Sequence, residues 1–196
     1  MTKRYATDNS DIEKRALVYL PKGLDKKSDK RYKTLYLMHG GGGNEEEFLF
    51  GQDAKRSLLY IIDHMIENGE LEPMIIVTPS FYYEACQSVG HDIAEAATLT
   101  KAFPNEFRNE LLPYIEANYP VLRGRENRAF GGFSMGGETA WEIMLNCLDL
   151  VSNFMQCRTM FRRRHIVGLK EKDSGSTVLR LRNSEKYINA TALFSL

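Results

Sequence analysis

The chain has 196 residues, 43% of them apolar and 27% charged, with 26 basic side chains against 26 acidic ones. That length suits one domain with a core of its own, and the even charge balance leaves no whole-molecule field to draw nucleic acid or an anionic membrane surface. Three cysteines, Cys86, Cys147 and Cys157, are an odd number at unrelated spacings, which argues against a disulfide framework and against a zinc cluster.

Met1 to Asp8 is polar where a secretory leader would be apolar, and no run approaches the roughly 20 apolar residues of a membrane helix. The expectation is a cytoplasmic protein, or a secreted one whose leader has been removed. Glu13 to Leu20 reads as an early strand, followed by a charged turn over residues 21–30. Tyr32 to Met38 is a mostly apolar run that stops at His39-Gly40-Gly41-Gly42-Gly43, so a buried strand feeds a glycine loop. From Ala54 to Asn68, the residues Leu58, Leu59, Ile61, Ile62, Met65 and Ile66 keep helical spacing, and Gly69 supplies the stop.

Met74 to Thr78 is a short buried strand ended by Pro79. A second helix is expected over about Asn105 to Asn118, with Phe107, Leu111, Leu112 and Ile115 on one face and Pro113 kinking or dividing it. Arg128 to Phe133 is strand-like, and Gly136 to Cys147 is helical in pattern. This alternation predicts an α/β fold, a mostly parallel sheet with helices on both faces, in a single unit spanning residues 1–196. After about Phe154 the pattern changes. Residues 156–165 carry basic side chains with no period, and residues 170–183 show no convincing element.

Two motifs carry chemistry. Gly132-Phe133-Ser134-Met135-Gly136 matches G-x-S-x-G, in which small residues flank a serine forced onto a tight turn between strand and helix. The turn sets the serine Oγ at a helix N-terminus, where free N–H groups favour developing negative charge. The loop His39 to Gly43 resembles the HGGG-type loop whose backbone N–H helps form an oxyanion hole, and glycine lets that backbone approach a substrate oxygen. Met135 N–H, next after the serine, is the second donor of such a hole. The same glycines do not fit a dinucleotide or phosphate loop: no G-x-G-x-x-G opens a helix and no Gly-Lys-Ser/Thr is present.

Leu37-Met-His-Gly-Gly-Gly-Gly-Asn-Glu-Glu-Glu-Phe48, Ile75-Ile-Val-Thr-Pro79, Phe103-Pro-Asn-Glu-Phe107 with Leu112-Pro-Tyr-Ile-Glu-Ala-Asn-Tyr119, and Arg128-Ala-Phe-Gly-Gly-Phe-Ser-Met-Gly-Gly137 together resemble the esterase D-like group of α/β hydrolases. That group includes the feruloyl and acetyl-xylan esterases of carbohydrate esterase family one, and the likeness covers roughly residues 12–155. It implies the α/β-hydrolase fold and hydrolysis of feruloyl or acetyl esters on plant cell-wall xylan, with an ester-bearing polysaccharide or small ester as partner. It implies Ser134 as nucleophile, Gly41 or its neighbour and Met135 as oxyanion donors, and neither metal nor organic cofactor. His39, Gly40 and Gly42 of the same loop, with Phe81, Tyr82 and Tyr83 beyond the Ile75 strand, are the candidate substrate contacts.

Residues 156–196 depart from that group. Its Pro-x-Ser-Gly-Asp stretch is missing after Met155, and no triad Asp or His is identifiable. His165, the one histidine after Ser134, sits in Arg162-Arg-Arg-His-Ile, unlike a base-bearing loop, while His64 falls in a helix and His91 among polar neighbours. A shift of reading frame in the gene would account for the loss of likeness. The C-terminal strands are therefore expected to be incomplete, the sheet to end at an open edge, and no histidine to reach Ser134 Oγ. A non-catalytic carbohydrate-binding module on the same fold, and a thioesterase or S-formylglutathione hydrolase-like enzyme, are the competing readings.

Overall fold

The computed structural model describes residues 2–6, 13–24, 29–50, 58–82, 93–157, 166–172, 176–181 and 187–189. Its elements run β1 (Thr2–Ala6), β2 (Glu13–Tyr19), β3 (Thr34–Met38), α1 (Leu58–Glu67), β4 (Ile75–Pro79) and α2 (Ile93–Glu106). A π turn (Phe107–Leu111), α3 (Leu112–Asn118), β5 (Arg128–Phe133), α4 (Met135–Asn146) and β6 (Asn153–Cys157) follow. β1 to β6 form one sheet in the order β1-β2-β4-β3-β5-β6. The neighbours β4/β3, β3/β5 and β5/β6 are parallel, while β1 and β2 close one side antiparallel.

Strand side chains alternate between faces, and the alternation sorts them into two apolar layers. Ala16, Val18, Tyr36, Met38, Ile75, Val77 and Phe130 pack with Phe103, Phe107, Leu111, Ile115, Ala140 and Ile143 of α2 to α4. Leu17, Tyr19, Leu37 and Ile76 pack on the other face with Leu49 and with Ile62 of α1. Phe130 is fully buried at the middle of the first layer and meets Phe107 edge to face at 5.6 Å. Side chains of this kind each contribute on the order of 2 kcal/mol by leaving water. Arg128 ties the start of β5 to α3 through Glu116 and to Leu150 O at 2.8 Å.

α1 ends as its glycine foretells. Gly69 has φ +73°, Glu70 N–H bonds back to Met65 O and Gly69 N–H to Ile66 O, the paired bonds of a left-handed helix cap. The second helix is longer than its periodicity suggests, starting at Ile93 and carrying Pro104 inside. Just ahead of Pro113, Leu112 N–H reaches back five residues to Phe107 O. The extra residue in that turn accommodates a proline, which lacks the N–H to continue an ordinary ladder.

Residues 166–189 differ from expectation, since β7 (Ile166–Lys172), β8 (Ser176–Leu181) and β9 (Tyr187–Asn189) form a separate antiparallel sheet in the order β7-β8-β9. β7 pairs with β8, and β8 with β9, antiparallel. None of these described strands joins the main sheet, so β6 is paired only with β5. No helix among the described residues is long and apolar enough to cross a membrane.

Candidate active site

The site lies where β3 and β5 end. Ser134 follows β5 directly with φ 54° and ψ −116°, the one non-glycine residue with positive φ among those described, and α4 begins at Met135. A side chain held in that sparsely populated region costs on the order of 1–3 kcal/mol, so the surroundings must impose it. The glycines of the motif show how. A Cβ on Gly132 would overlap the main chain of Gly136, and a Cβ on Gly136 would overlap the carbonyl oxygen of Met38 and lie 2.5 Å from that of His39. Bare backbones therefore interlock β5, α4 and the end of β3. Ser134 N–H donates to Cys157 O at 2.9 Å, which pins the turn to β6 as well.

The glycine loop abuts this elbow. A Cβ at Gly40 would meet Phe133 Cδ1 at 3.1 Å, and one at Gly41 would meet Met135 Sδ at 2.7 Å. Gly43 N–H donates to Gly40 O at 3.1 Å, closing a turn, and Gly42, with φ +78°, donates its N–H to Tyr82 Oη at 3.4 Å. Gly41 N–H and Met135 N–H donate to no other described residue. Downstream, Thr78 Oγ1 donates to Glu45 O at 2.7 Å and Arg15 Nε lies 3.2 Å from the buried Glu45 carboxylate. The loop is thus tied at its far limb as well.

His39 and Phe81, candidate substrate contacts by sequence, are placed inside the protein, with 1% and 0% of their surface exposed. His39 Nδ1 lies 2.7 Å from Gly40 O and Nε2 lies 2.8 Å from Ser80 Oγ, with the Phe81 ring tilted against the imidazole at 4.6 Å. Burial, aided by the nearby Lys14 cation and opposed by the Gly40 bond, lowers the His39 pKa to about 4, so the ring is neutral. Tyr82 is also largely buried, its hydroxyl turned to the loop, whereas Gly41 and Gly42 are exposed and Gly40 is buried. Ser80, which the sequence reading passed over, is marked only by its place directly after a strand-ending proline.

Ser134 is partly exposed and its Oγ has no hydrogen-bond partner among the described residues. His64 is half-exposed on α1, 3.6 Å from Glu67. Tyr83, Cys86, His91 and His165 lie outside the described residues. Cys147 is buried and Cys157 is exposed, both as free thiols, and no cluster of metal-binding side chains occurs among the described residues.

The Esterase family model matches residues 10–155. An endo-1,4-β-xylanase Y from Acetivibrio thermocellus is 43% identical over 148 residues, covering 70% of this chain and 12% of that protein. Among solved structures, the feruloyl esterase module from Clostridium thermocellum complexed with sinapinate is 37% identical with a TM-score of 0.62, over 79% of this chain and 52% of that one. A ferulic acid esterase from Anaeromyces mucronatus in complex with ferulic acid is 32% identical with a TM-score of 0.65, over 77% and 54%. The chain spans about half the length of these solved relatives and a much smaller part of the xylanase.

Proposed function

The chain belongs to the Esterase family, and from that premise we propose that it is a serine carboxylesterase acting on feruloyl or acetyl esters of plant cell-wall xylan. The observation that carries the reading is the strained turn at Ser134, set beside two backbone N–H groups, of Gly41 and Met135, that have no acceptor among the described residues. Similarity to the feruloyl esterase module and the ferulic acid esterase supports the substrate class.

In this account Ser134 Oγ attacks the ester carbonyl carbon, the carbonyl oxygen becomes an oxyanion held by the two N–H groups, and the sugar alcohol leaves. Water then releases the carboxylic acid from the acyl-enzyme. The proton of Ser134 needs a base. His39 cannot serve, because both ring nitrogens are already engaged and the ring is buried. His64 is exposed on α1 against Glu67, so the base is assigned to no described histidine.

That last observation favours a second reading, a carbohydrate-binding module that keeps the fold without turnover. Hydrolysis of p-nitrophenyl acetate and of methyl ferulate, compared with Ser134→Ala, separates the two. The esterase reading expects turnover that the Ala variant abolishes. Xylan binding without turnover by either protein would replace it with the module, and preferential cleavage of a thioester would move the substrate class.

A further inference from the structure

We propose that His39, Ser80 and Tyr82 form a clasp that locks the peptide between Gly40 and Gly41 in the orientation that presents Gly41 N–H to the oxyanion. The proposal rests on the esterase reading for its purpose, and on hydrogen-bond direction for its substance.

Each bond in the clasp has one sense. Gly40 O can only accept, so the nitrogen facing it, His39 Nδ1, carries the hydrogen. In a neutral ring Nε2 is then bare and accepts from the Ser80 hydroxyl. With its hydrogen committed, Ser80 Oγ still accepts from Tyr82 N–H at 3.0 Å. Tyr82 closes the arrangement by accepting from Gly42 N–H. The whole runs from the end of β4 across to the end of β3 and back, with His39 at 1% and Ser80 at 2% exposure, where water cannot replace a lost partner.

Planarity turns this support into an aim. Gly40 O accepts both His39 Nδ1–H and Gly43 N–H, so it is held toward the protein from two sides. In a trans peptide the C=O and the following N–H point in opposite directions. Fixing Gly40 O inward therefore directs Gly41 N–H outward, on the side away from the clasp, and Gly41 is exposed where Gly40 is buried. Turning the peptide over would break two hydrogen bonds at once and strand a buried imidazole donor. His39, Ser80 and Tyr82 are positioning residues, acting through Gly41 without touching substrate.

The test sets His39→Leu and Ser80→Ala beside His39→Asn and Ser80→Thr. The Asn amide can restore a donor near Nδ1, and Thr keeps the hydroxyl. With p-nitrophenyl acetate, His39→Leu is expected to lower kcat about 10²-fold, at the lower end of the ~10²–10³ for a lost oxyanion donor. KM should stay within about twofold, since the interaction is made in the transition state. Ser80→Ala should lose about tenfold, and the Asn and Thr variants should recover most of each loss. Hydrogen exchange of Gly43 N–H, measured by NMR, should quicken in His39→Leu and Ser80→Ala and return in the conservative variants. Faster exchange with unchanged kcat overturns the link to catalysis, and unchanged exchange overturns the lock. If the wild-type chain neither turns over nor labels with a fluorophosphonate, the esterase reading falls, and Gly43 exchange alone decides whether the clasp holds the peptide.

Discussion

The two ends of the parallel ladder are closed very differently. Around β3 and β4 both faces are covered, by α1 on one side and by α2 to α4 on the other, and the end of β3 interlocks with the elbow backbone to backbone at Gly136. At β6 one face only is covered: Phe154 packs inward, while Met155, which points the other way, is 42% exposed. Among the described residues β6 is also unpaired on its outer side within the sheet. The conformation of Ser134 is thus imposed by packing from the covered side, with β6 adding the Ser134 N–H bond to Cys157 O.

The largest loss is expected at Gly136. Gly136→Val would drive Cβ into the Met38 and His39 carbonyls, backbone that cannot move aside, and is expected to cost more than about 3 kcal/mol and abolish cooperative unfolding. Met155→Thr at the open end should change stability by no more than about 0.5 kcal/mol. Thermal or urea unfolding of the two variants checks the contrast, and equal losses would mean that the elbow is no more constrained than the edge.

Gly41 carries the same contrast into activity. Gly41→Leu should cut turnover by about 10²–10³ by filling the oxyanion site. Gly41→Ala should be far milder, because the atom its Cβ meets is the mobile end of Met135. Steady-state kinetics on p-nitrophenyl acetate decide, and an unchanged rate for the Leu variant would move the oxyanion site elsewhere.

The next effect depends on pH. The His39 pKa is lowered from 6.5 to about 4 by burial. As pH falls from 6.5 toward 4 the unfolded chain takes up a proton that the folded chain refuses. The group's contribution to stability is therefore full above that window and is lost through it, by on the order of 3 kcal/mol. Unfolding free energies between pH 4 and pH 7 (roughly the range over which a histidine titrates) should slope less steeply in His39→Asn than in wild type. Parallel slopes would place the pH dependence on other groups. The smallest effect is at the edge itself, where Met155→Lys should reduce concentration-dependent association seen by light scattering while leaving the unfolding midpoint within a few degrees.

Much of the active end was legible in the sequence because its constraints are local. A strand stopping at His39-Gly-Gly-Gly-Gly43, and a serine between Gly132 and Gly136, announce tight turns through residues that only tight turns require. β3, β4, β5 and α4 fall within a residue or two of their expected bounds. The start of α2 is not legible, since a proline disfavours a helix interior and the helix runs through Pro104 with Phe103 and Phe107 buried. β1 was missed because a polar strand shows only through its pairing with β2. The His39–Ser80 contact is illegible for a related reason: the two residues are 41 apart in sequence, and nothing in either segment announces the other.

The proposed esterase chemistry requires the fold to make Ser134 the reactive nucleophile. The most direct measurement is mass-spectrometric mapping of the adduct left by a fluorophosphonate on the native chain and on the urea-unfolded chain. An adduct is expected on Ser134 in the native chain alone, lost in Ser134→Ala. A native chain with no adduct, or one labelled at another residue, would contradict it.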